Sequence, residues 1–298
     1  MTDIQAADPM TVLLAMRRAG DRVADYLKSV ARTHVERDLK RDQYDVVTEH
    51  DRQSEEIAVE ALRSALPDCR IVGEEQGERP GDGPVTFYVD PIDGTANFAA
   101  GMPTFAFSVG AEAGGELIAG VVNAPLLGHE FYAATGHGAW VQSFSREEPI
   151  RLGEPIERTA PESLVLTGFP SARDHHTWGP EGLAVAAKLS GSVLGVRNLG
   201  SAAIEIACVA AGWADAAYGV GASPWDTAGG IALVQEAGGE FLSSNLLGGH
   251  GDLPWQLPGY GVIAPGRSIP QIGLALDELE GVAERLQVEG HSEGFRMP

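Results

Sequence analysis

The segment Asp90-Pro91-Ile92-Asp93-Gly94-Thr95 constrains the fold more than any other part of this chain. It follows residues 85–89, a run of β-branched and aromatic residues that predicts a strand. Asp-Pro and Asp-Gly are common turn dipeptides, so we expect a tight turn that brings both carboxylates to the end of this strand. Residues 95–97 could then open a helix.

The chemistry of this segment favours a metal and phosphate site. Carboxylates without histidine or cysteine beside them suit hard cations such as Mg²⁺ or Mn²⁺ better than zinc. The backbone beyond Gly94 can approach an anion closely, and the N–H groups of a following helix could face a phosphate. An ordinary turn that contains two aspartates is the structural alternative, and the segment alone leaves both interpretations open.

Three further acidic segments stand where loops meet strands or helices: residues 45–51, 71–75 and 224–226. Each has a plain structural alternative. Either Thr48 or Asp51 could serve as the N-cap of the helix that follows them, and Asp226 could cap another. Glu74 and Glu75 are adjacent like charges, which repel each other unless a cation or solvent separates them.

Together these segments resemble the inositol monophosphatase family of metal-dependent, lithium-sensitive phosphomonoesterases. The resemblance extends from about Lys40 to Pro265. It implies an α/β fold, a layered αβαβα sandwich of two halves like that of fructose-1,6-bisphosphatase. The family motifs D-x-V-T-x-x-D, G-E-E, D-P-[IL]-D-G-T-x-N-F, W-D and E-A-G-G appear in order at residues 45–51, 73–75, 90–98, 225–226 and 236–239.

The resemblance also implies roles for individual residues. Glu74, Asp90 and the Ile92 carbonyl would hold one Mg²⁺, and a second ion would lie between Asp90, Asp93 and Asp226. The cofactor is thus expected to be two or three Mg²⁺ ions, with Mn²⁺ as an alternative. Lys40 is either a lysine near the site or a solvated surface residue.

Catalysis and substrate binding are assigned in the same way. Thr95, with Asp51 behind it, would orient and deprotonate the attacking water. The N–H groups of Gly94 and Thr95 would hold the phosphate. The expected phosphate- and substrate-binding residues are Gly94, Thr95, Gly200, Ser201, Ala202 and Asp93.

One position departs from the inositol phosphatase pattern. Those enzymes carry a hydroxyl-binding glutamate seven residues before the aspartate of the Trp-Asp motif, where this chain has Gly219. Loss of a hydrogen bond to a charged group costs roughly 1.5–3 kcal/mol. We therefore expect a larger or different substrate, with Gly219 making room for it.

The resemblance implies a Mg²⁺-dependent phosphoric monoester hydrolase that acts on a small phosphate ester. Inositol 1-phosphate ranks first, because residues 96–98 match the inositol phosphatase branch of the family. The alternative substrates are fructose 1,6-bisphosphate, histidinol phosphate and 3′-phosphoadenosine 5′-phosphate. A non-catalytic, regulatory binding protein is the alternative from another functional class.

Composition limits the partners. The 42 acidic and 21 basic residues leave a net charge of −21, which argues against nucleic-acid and anionic-membrane binding. No long apolar segment or signal-peptide pattern is found, and the two cysteines, Cys69 and Cys208, are expected to be reduced thiols. We expect a cytoplasmic protein, and the family resemblance implies a homodimer.

The chain is expected to divide near residue 150. Residues 1–150 would form an α+β half that carries most metal ligands and includes an antiparallel meander. Residues 151–290 would form an α/β half that carries Asp226 and the substrate-pocket residues. A polar tail, residues 291–298, is expected to be disordered.

Overall fold

The protein is described by a computed structural model that covers residues 8–31, 38–39, 46–246, 248 and 251–288. Lys40, Asp45 and the predicted polar tail lie outside the described residues. Short 3₁₀ helices span Ala160–Glu162 and Pro254–Gln256. The α-helices of the described part are α1 (Pro9–Val30), α2 (Glu49–Ala65), α3 (Thr95–Ala100), α4 (Ala172–Ser190), α5 (Ala202–Ala210), α6 (Pro224–Glu236) and α7 (Gln271–Val288).

The strands form two main sheets and two short pairs. Their bounds are β1 (Asp38–Leu39), β2 (Val46–Val47), β3 (Arg70–Gly73), β4 (Gly77–Arg79), β5 (Thr86–Asp93), β6 (Ala106–Ala113), β7 (Glu116–Ala124), β8 (His129–Ala134), β9 (Gly138–Ser143), β10 (Ile150–Arg151), β11 (Arg158–Thr159), β12 (Leu164–Leu166), β13 (Gly195–Arg197), β14 (Ala216–Gly219), β15 (Glu240–Ser244), β16 (Gly259–Ile263) and β17 (Arg267–Ser268).

The larger sheet has eight strands in the order β10-β9-β8-β7-β6-β5-β3-β4. Strands β5 to β9 form an antiparallel meander, as predicted, and β3 joins β5 in the only parallel pair of this sheet among the described residues. Both β3 and β5 therefore point their carboxyl ends to the same edge. Glu74, which follows β3, and Asp90 and Asp93, near the end of β5, lie at that edge.

The smaller sheet has five strands in the order β13-β12-β14-β16-β15. Strand β12 pairs in parallel with β13 and β14, and β16 runs antiparallel to both β14 and β15. Alternate residues of β14 face opposite layers, as the two-residue period of a strand requires. Ala217 packs into the layer between the sheets, whereas Ala216 and Tyr218 pack on the outer side.

Helices fill the three spaces around the two sheets. Helices α1 and α2 cover the outer face of the large sheet, and α4 and α7 cover the outer face of the small one. Helices α5 and α6 lie between the sheets and share a core with strands from both. The predicted αβαβα layering is confirmed, and the division of the chain near residue 150 remains a prediction.

Close contact of backbones positions α6 against the large sheet. A Cβ atom on Gly120 of β7 would stand 2.2 Å from the carbonyl oxygen of Gly229 in α6, and one on Gly110 of β6 would stand 2.5 Å from the Ala228 Cβ. Contacts this short cannot form, so only glycine allows the helix to sit at this depth. The first turn of α6 carries Asp226.

Several local predictions need correction. Strand β5 does not end in a turn at Asp90 but continues to Asp93, with a shift of register against β6 between these residues. Asp226 is not the N-cap of α6, because Ser223 takes that position and Asp226 lies three residues inside the helix. Cys69 and Cys208 form no disulfide, as expected. None of the described helices is both long and apolar enough to cross a membrane.

Candidate active site

The end of β5 places two carboxylates below the protein surface. Asp90 and Asp93 are 2% and 9% exposed, and Ile92 between them is fully buried. The Asp90 Oδ1 atom accepts a hydrogen bond from the Ile92 N–H at 3.0 Å. Pro91 has no N–H to donate. The irregular strand end therefore brings two acids and a main-chain carbonyl into one small volume.

The charges that act most strongly on Asp90 are all negative. Burial raises the pKa of its carboxyl well above the ordinary value, and the charges of Glu74, Asp93 and Asp226 raise that pKa further. Since charge–charge effects fall with distance, Glu74, directly after β3, and Asp226 from α6 lie close to the end of β5. The structure thus brings together all four acidic side chains that the sequence predicts as metal ligands.

These residues fit a hard divalent cation by their chemistry. Several buried carboxylates repel one another unless a proton or a cation neutralises them, and their oxygen atoms are the donors that Mg²⁺ prefers. As the side chains stand, no three acidic, histidine or cysteine side chains in the described part of the chain form a closed metal cluster. The donor set suits a cation, and the present conformation does not gather it around one point.

Asp93 is held by the first turn of α5. Its Oδ2 atom accepts a hydrogen bond from the Ser201 hydroxyl and another, at 2.7 Å, from the Ala203 N–H. Burial raises the pKa of Asp93 to about 6, although these hydrogen bonds lower it. Ser201 is also the N-cap of α5 and accepts a hydrogen bond from the Ile204 N–H. The predicted loop of Gly200, Ser201 and Ala202 is therefore joined directly to an acid of the site.

Thr95 and Asp51 form the predicted pair. The Thr95 hydroxyl lies 2.9 Å from Asp51 Oδ1 and 3.0 Å from the Ile92 carbonyl oxygen, and its single proton can be donated to either. Asp51 Oδ2 accepts hydrogen bonds from the N–H and hydroxyl of Thr48 at 2.8 and 2.6 Å. Burial raises the pKa of Asp51, and the hydrogen bonds from Thr48 and Thr95 oppose that rise. The N-cap of α2 thus fixes the acid that faces Thr95.

Gly94 connects β5 to α3 in a conformation that favours glycine. Its φ is 91°, and a Cβ there would stand 3.0 Å from the carbonyl oxygens of Gly200 and Thr104. The first backbone hydrogen bond of α3 runs from the Phe98 N–H to the Gly94 carbonyl. The N–H groups of Gly94 and Thr95 precede that bond and take no part in the helix ladder.

Asn97 ties this turn to the other half of the chain. Its amide nitrogen lies 2.7 Å from the Thr104 carbonyl oxygen and 2.8 Å from that of Leu199. The sequence singled out Asn97 as part of a motif without assigning it a role. Its amide holds α3 against the loop that precedes α5.

A cavity of about 600 Å³ opens beside the acidic residues. Gly200, Ser201 and Ala202 line it, as predicted for a substrate pocket, and so does Asp226, which is predicted as a metal ligand. Its size lies within the range of small-molecule sites. The other lining residues are Ala96, Gly168, Phe169, Ser171, Ala172, Arg173, Asp174, Thr177, Trp178, Glu205, Gly219, Val220, Gly221, Ala222 and Tyr260.

The space beside Gly219 is already occupied by protein. A Cβ atom on Gly219 would stand 2.4 Å from Cε1 of Tyr260. The sequence predicts that Gly219 makes room for a substrate group. The ring of Tyr260 takes that room instead, so the predicted reason for the glycine is corrected.

Sequence reasoning missed two buried glutamates. Glu55 of α2 accepts hydrogen bonds from the N–H groups of Glu75 and Gln76 at 2.7 and 3.1 Å, and its carboxyl carbon would lie 2.6 Å from a Cβ on Gly73. It therefore supports the loop that presents Glu74. No pattern in the sequence distinguishes Glu55 from the other acids of α2.

Glu205 is the second missed residue. Its carboxylate accepts a hydrogen bond from the Leu199 N–H at 2.8 Å and lines the cavity. Burial raises the pKa of Glu205 to about 7, and the charge of Asp93 contributes to the rise. A signal was present in this case, because Glu205 is the one charged residue in the apolar run of α5.

Comparisons with known proteins agree with this architecture. The sequence model of the inositol monophosphatase family matches residues 7–275. The chain is 38% identical over 242 residues to a protein of Pseudomonas aeruginosa named Nus factor SuhB, covering 80% of this chain and 85% of that protein. It is 36% identical over 201 residues to an inositol-1-monophosphatase of Mesorhizobium japonicum, covering 67% of this chain and 72% of that one.

A solved structure extends the likeness to three dimensions. The crystal structure of the extragenic suppressor protein suhB from Bartonella henselae superimposes with a TM-score of 0.71 at 28% sequence identity. The match covers 93% of this chain and 98% of the other. The layered arrangement of helices and sheets is therefore shared with that protein.

Proposed function

The chain belongs to the inositol monophosphatase family, and from this premise we propose that it is a Mg²⁺-dependent phosphomonoesterase acting on a small phosphate ester. Inositol 1-phosphate is the first candidate substrate. The observation that carries the proposal is that the charges of Glu74, Asp93 and Asp226 all act on buried Asp90, in the strand end that leads to the hydrogen-bonded pair of Thr95 and Asp51. These acids come from three separate elements of the fold, which a purely local structural role would not require.

The metal ligands are proposed as follows. Glu74, Asp90 and the Ile92 carbonyl would hold one ion, and Asp90, Asp93 and Asp226 would hold a second. When bound, divalent cations lower the pKa of water and neutralise charge on the phosphoryl oxygens. They also offset the net charge of −21, which would otherwise repel a phosphate ester.

Thr95 and Asp51 are proposed to orient the attacking water. When the Thr95 hydroxyl donates a hydrogen bond to Asp51 Oδ1, a lone pair of its oxygen is left to accept a hydrogen bond from the attacking water. Thr48 holds the other oxygen of Asp51, so the carboxylate cannot turn away. The chain therefore fixes the direction in which the proton leaves.

Phosphate binding is assigned to the start of α3. The N–H groups of Gly94 and Thr95 stand outside the helix ladder and are proposed to donate to phosphoryl oxygens. Gly200, Ser201 and Ala202 line the adjoining cavity, where the leaving group is proposed to lie. Asp93, held by Ser201, connects the two parts of the site.

The proposal is tested by phosphate release from the purified protein with Mg²⁺ or with EDTA. The substrates compared are inositol 1-phosphate, fructose 1,6-bisphosphate, histidinol phosphate and 3′-phosphoadenosine 5′-phosphate. We expect Mg²⁺-dependent release, fastest from inositol 1-phosphate, and its loss in Asp93→Asn. Asp277→Asn, an exposed matched control on α7, should retain activity. Turnover that is unchanged in Asp93→Asn would contradict the ligand assignment.

A second candidate function is regulatory binding. It is favoured by the name Nus factor SuhB, which several relatives carry and which describes no phosphatase activity. Complementation of a deletion strain separates the two functions. Rescue by wild type but not by Thr95→Ala supports the phosphatase role, whereas equal rescue by both supports a role that needs no turnover.

The remaining assignments are also proposals. We propose a cytoplasmic homodimer with a small-molecule phosphate ester as its ligand and without nucleic-acid or membrane partners. Light scattering during size-exclusion chromatography would give the oligomeric state directly. A salt-dependent shift on RNA or DNA in a gel assay would contradict the exclusion of nucleic acids.

A further inference from the structure

Gly219 and Tyr260 are direct neighbours across two antiparallel strands. Gly219 ends β14, Tyr260 lies in β16, and the two residues are paired in register. Both line the cavity, and Tyr260 is 4% exposed. The pair therefore forms part of the cavity wall, contributed by the small sheet.

The tyrosine occupies the space that a side chain at position 219 would need. A Cβ on Gly219 would stand 2.4 Å from Cε1, 2.9 Å from Cζ and 3.0 Å from the hydroxyl oxygen of Tyr260. Real Cβ atoms do not approach a ring carbon this closely, so a side chain at 219 and the present ring position exclude each other. The phenolic oxygen lies close to where a longer side chain from residue 219 would begin.

The hydroxyl of Tyr260 stands in an acidic environment. After burial, the charges of Glu205, Asp93 and Asp226 have the largest effects on its pKa, and all raise it. The phenol consequently keeps its proton at neutral pH and remains able both to donate and to accept a hydrogen bond. Glu205 lines the same cavity from α5, and its Oε1 atom accepts a hydrogen bond from the Leu199 N–H.

We propose that the Tyr260 hydroxyl, beside Glu205, recognises a hydroxyl group on the leaving group of a polyol phosphate. In this arrangement Tyr260 supplies the hydrogen bond to the substrate that a polar side chain at position 219 would otherwise supply. Since an alcohol is both a donor and an acceptor, a phenol and the carboxyl group of Glu205 together can satisfy it. This inference rests on the proposed phosphatase function and names Tyr260 as the residue that determines specificity.

The decisive variant is Tyr260→Phe, which removes only the oxygen atom and keeps the ring beside Gly219. The value of kcat/KM is measured for inositol 1-phosphate and for phenyl phosphate, whose leaving group has no additional hydroxyl. Loss of a neutral hydrogen bond should lower kcat/KM for inositol 1-phosphate by about 3- to 10-fold. The value for phenyl phosphate should change by less than about twofold, because that ester has no hydroxyl to lose.

Tyr218→Phe is the matched control. Tyr218 is the neighbour of Gly219 on β14, is equally buried, and packs against Phe169 on the outer side of the sheet without itself lining the cavity. The same atom is deleted, but kcat/KM for both esters should stay at the wild-type value. A thermal melt of each variant shows that the fold is retained.

Gly219→Ala tests whether a side chain at position 219 and the Tyr260 ring compete for the same space. Its added methyl group must displace the Tyr260 ring, so kcat/KM for inositol 1-phosphate should again fall while that for phenyl phosphate is kept. The double variant Gly219→Ala/Tyr260→Phe should lose no more than the larger of the two single effects, because both act on one contact. Additive losses would overturn the proposal.

The remaining outcomes are also decisive. If Tyr260→Phe lowers kcat/KM equally for the two esters, or for neither, Tyr260 does not select hydroxyl-bearing substrates. If the wild type hydrolyses neither ester, the proposed phosphatase function fails, and calorimetric titration with inositol 1-phosphate decides the inference separately. Binding that is weaker in Tyr260→Phe would support it, and unchanged or absent binding would overturn it.

Discussion

The carboxylate of Asp93 accepts a hydrogen bond from the N–H of Ala203 at 2.7 Å, although the two residues are 110 positions apart in the chain. Ser201 donates to the same oxygen atom. The end of β5 is therefore fastened to the start of α5, and the acidic site and the cavity are built as one unit. Residues on either side of that link should affect activity together.

Removal of the Ser201 hydroxyl should weaken this link. Hydrogen bonds to charged groups contribute roughly 1.5–3 kcal/mol, so Ser201→Ala should reduce kcat/KM by about 10- to 100-fold. It should also raise the Mg²⁺ concentration needed for half-maximal activity. Ser201→Thr retains a hydroxyl and should recover most of the loss, and Ser192→Ala, a serine away from the site, should behave as wild type.

The Glu55 carboxylate supports the loop that carries Glu74, and alanine variants of the adjacent residues Glu55 and Glu56 test this role. Glu55→Ala removes the acceptor of the Glu75 and Gln76 N–H groups, so the loop should loosen and the half-saturating Mg²⁺ concentration should rise by about tenfold. Glu56→Ala changes the next residue, which is exposed on α2. Equal Mg²⁺ titration curves for the two variants would contradict this role of Glu55.

The depth at which α6 sits should depend on Gly120. Because a Cβ there would lie 2.2 Å from the Gly229 carbonyl oxygen, Gly120→Ala should destabilise the fold by about 1–3 kcal/mol and lower activity by displacing Asp226. Gly273→Ala adds the same methyl group on α7 in an uncrowded place, where it should be neutral or stabilising. Urea unfolding measures both effects.

The stability of the metal-free protein should fall as pH rises from about 4.5 to about 7. Burial raises the pKa of Glu205 from 4.5 to about 7, so the folded chain holds a proton that the unfolded chain has already lost. Stability contributed by this proton is present at low pH and disappears as pH rises through the folded pKa, a change of roughly 3 kcal/mol. The pKa of Asp93 is about 6 in the folded protein, so this residue should also lower stability as pH rises.

Denaturant unfolding in EDTA at pH 5 and at pH 7.5 checks this expectation. Glu205→Gln cannot titrate and should show a smaller difference between the two pH values, whereas Glu56→Gln, on an exposed surface, should leave the difference unchanged. Added Mg²⁺ should restore stability at pH 7.5. An equal difference in wild type and Glu205→Gln would show that Glu205 does not carry the effect.

The family and the layered fold were predicted from the resemblance of several ordered motifs to a known family, and the local signals around those motifs agree with the structure. The β-branched run before Asp90 forms β5, and the segment around Asp51 forms a capped helix start. Where two local signals compete, the prediction was less accurate. Asp226 and Ser223 are both good N-caps, and the chain uses the serine, which leaves the Asp226 carboxylate within the first turn of α6.

The sequence by itself determined the strand that leads into the acidic segment, the antiparallel meander and the segments that carry the acidic residues, because capping, turn and strand signals act over a few residues. Only the tertiary structure decided that Tyr260 fills the space beside Gly219, that Glu55 supports the Glu74 loop and that Asp93 is held by α5. Each of these contacts joins residues far apart in the chain. Their distances follow from how whole sheets and helices pack, and no local pattern records that packing.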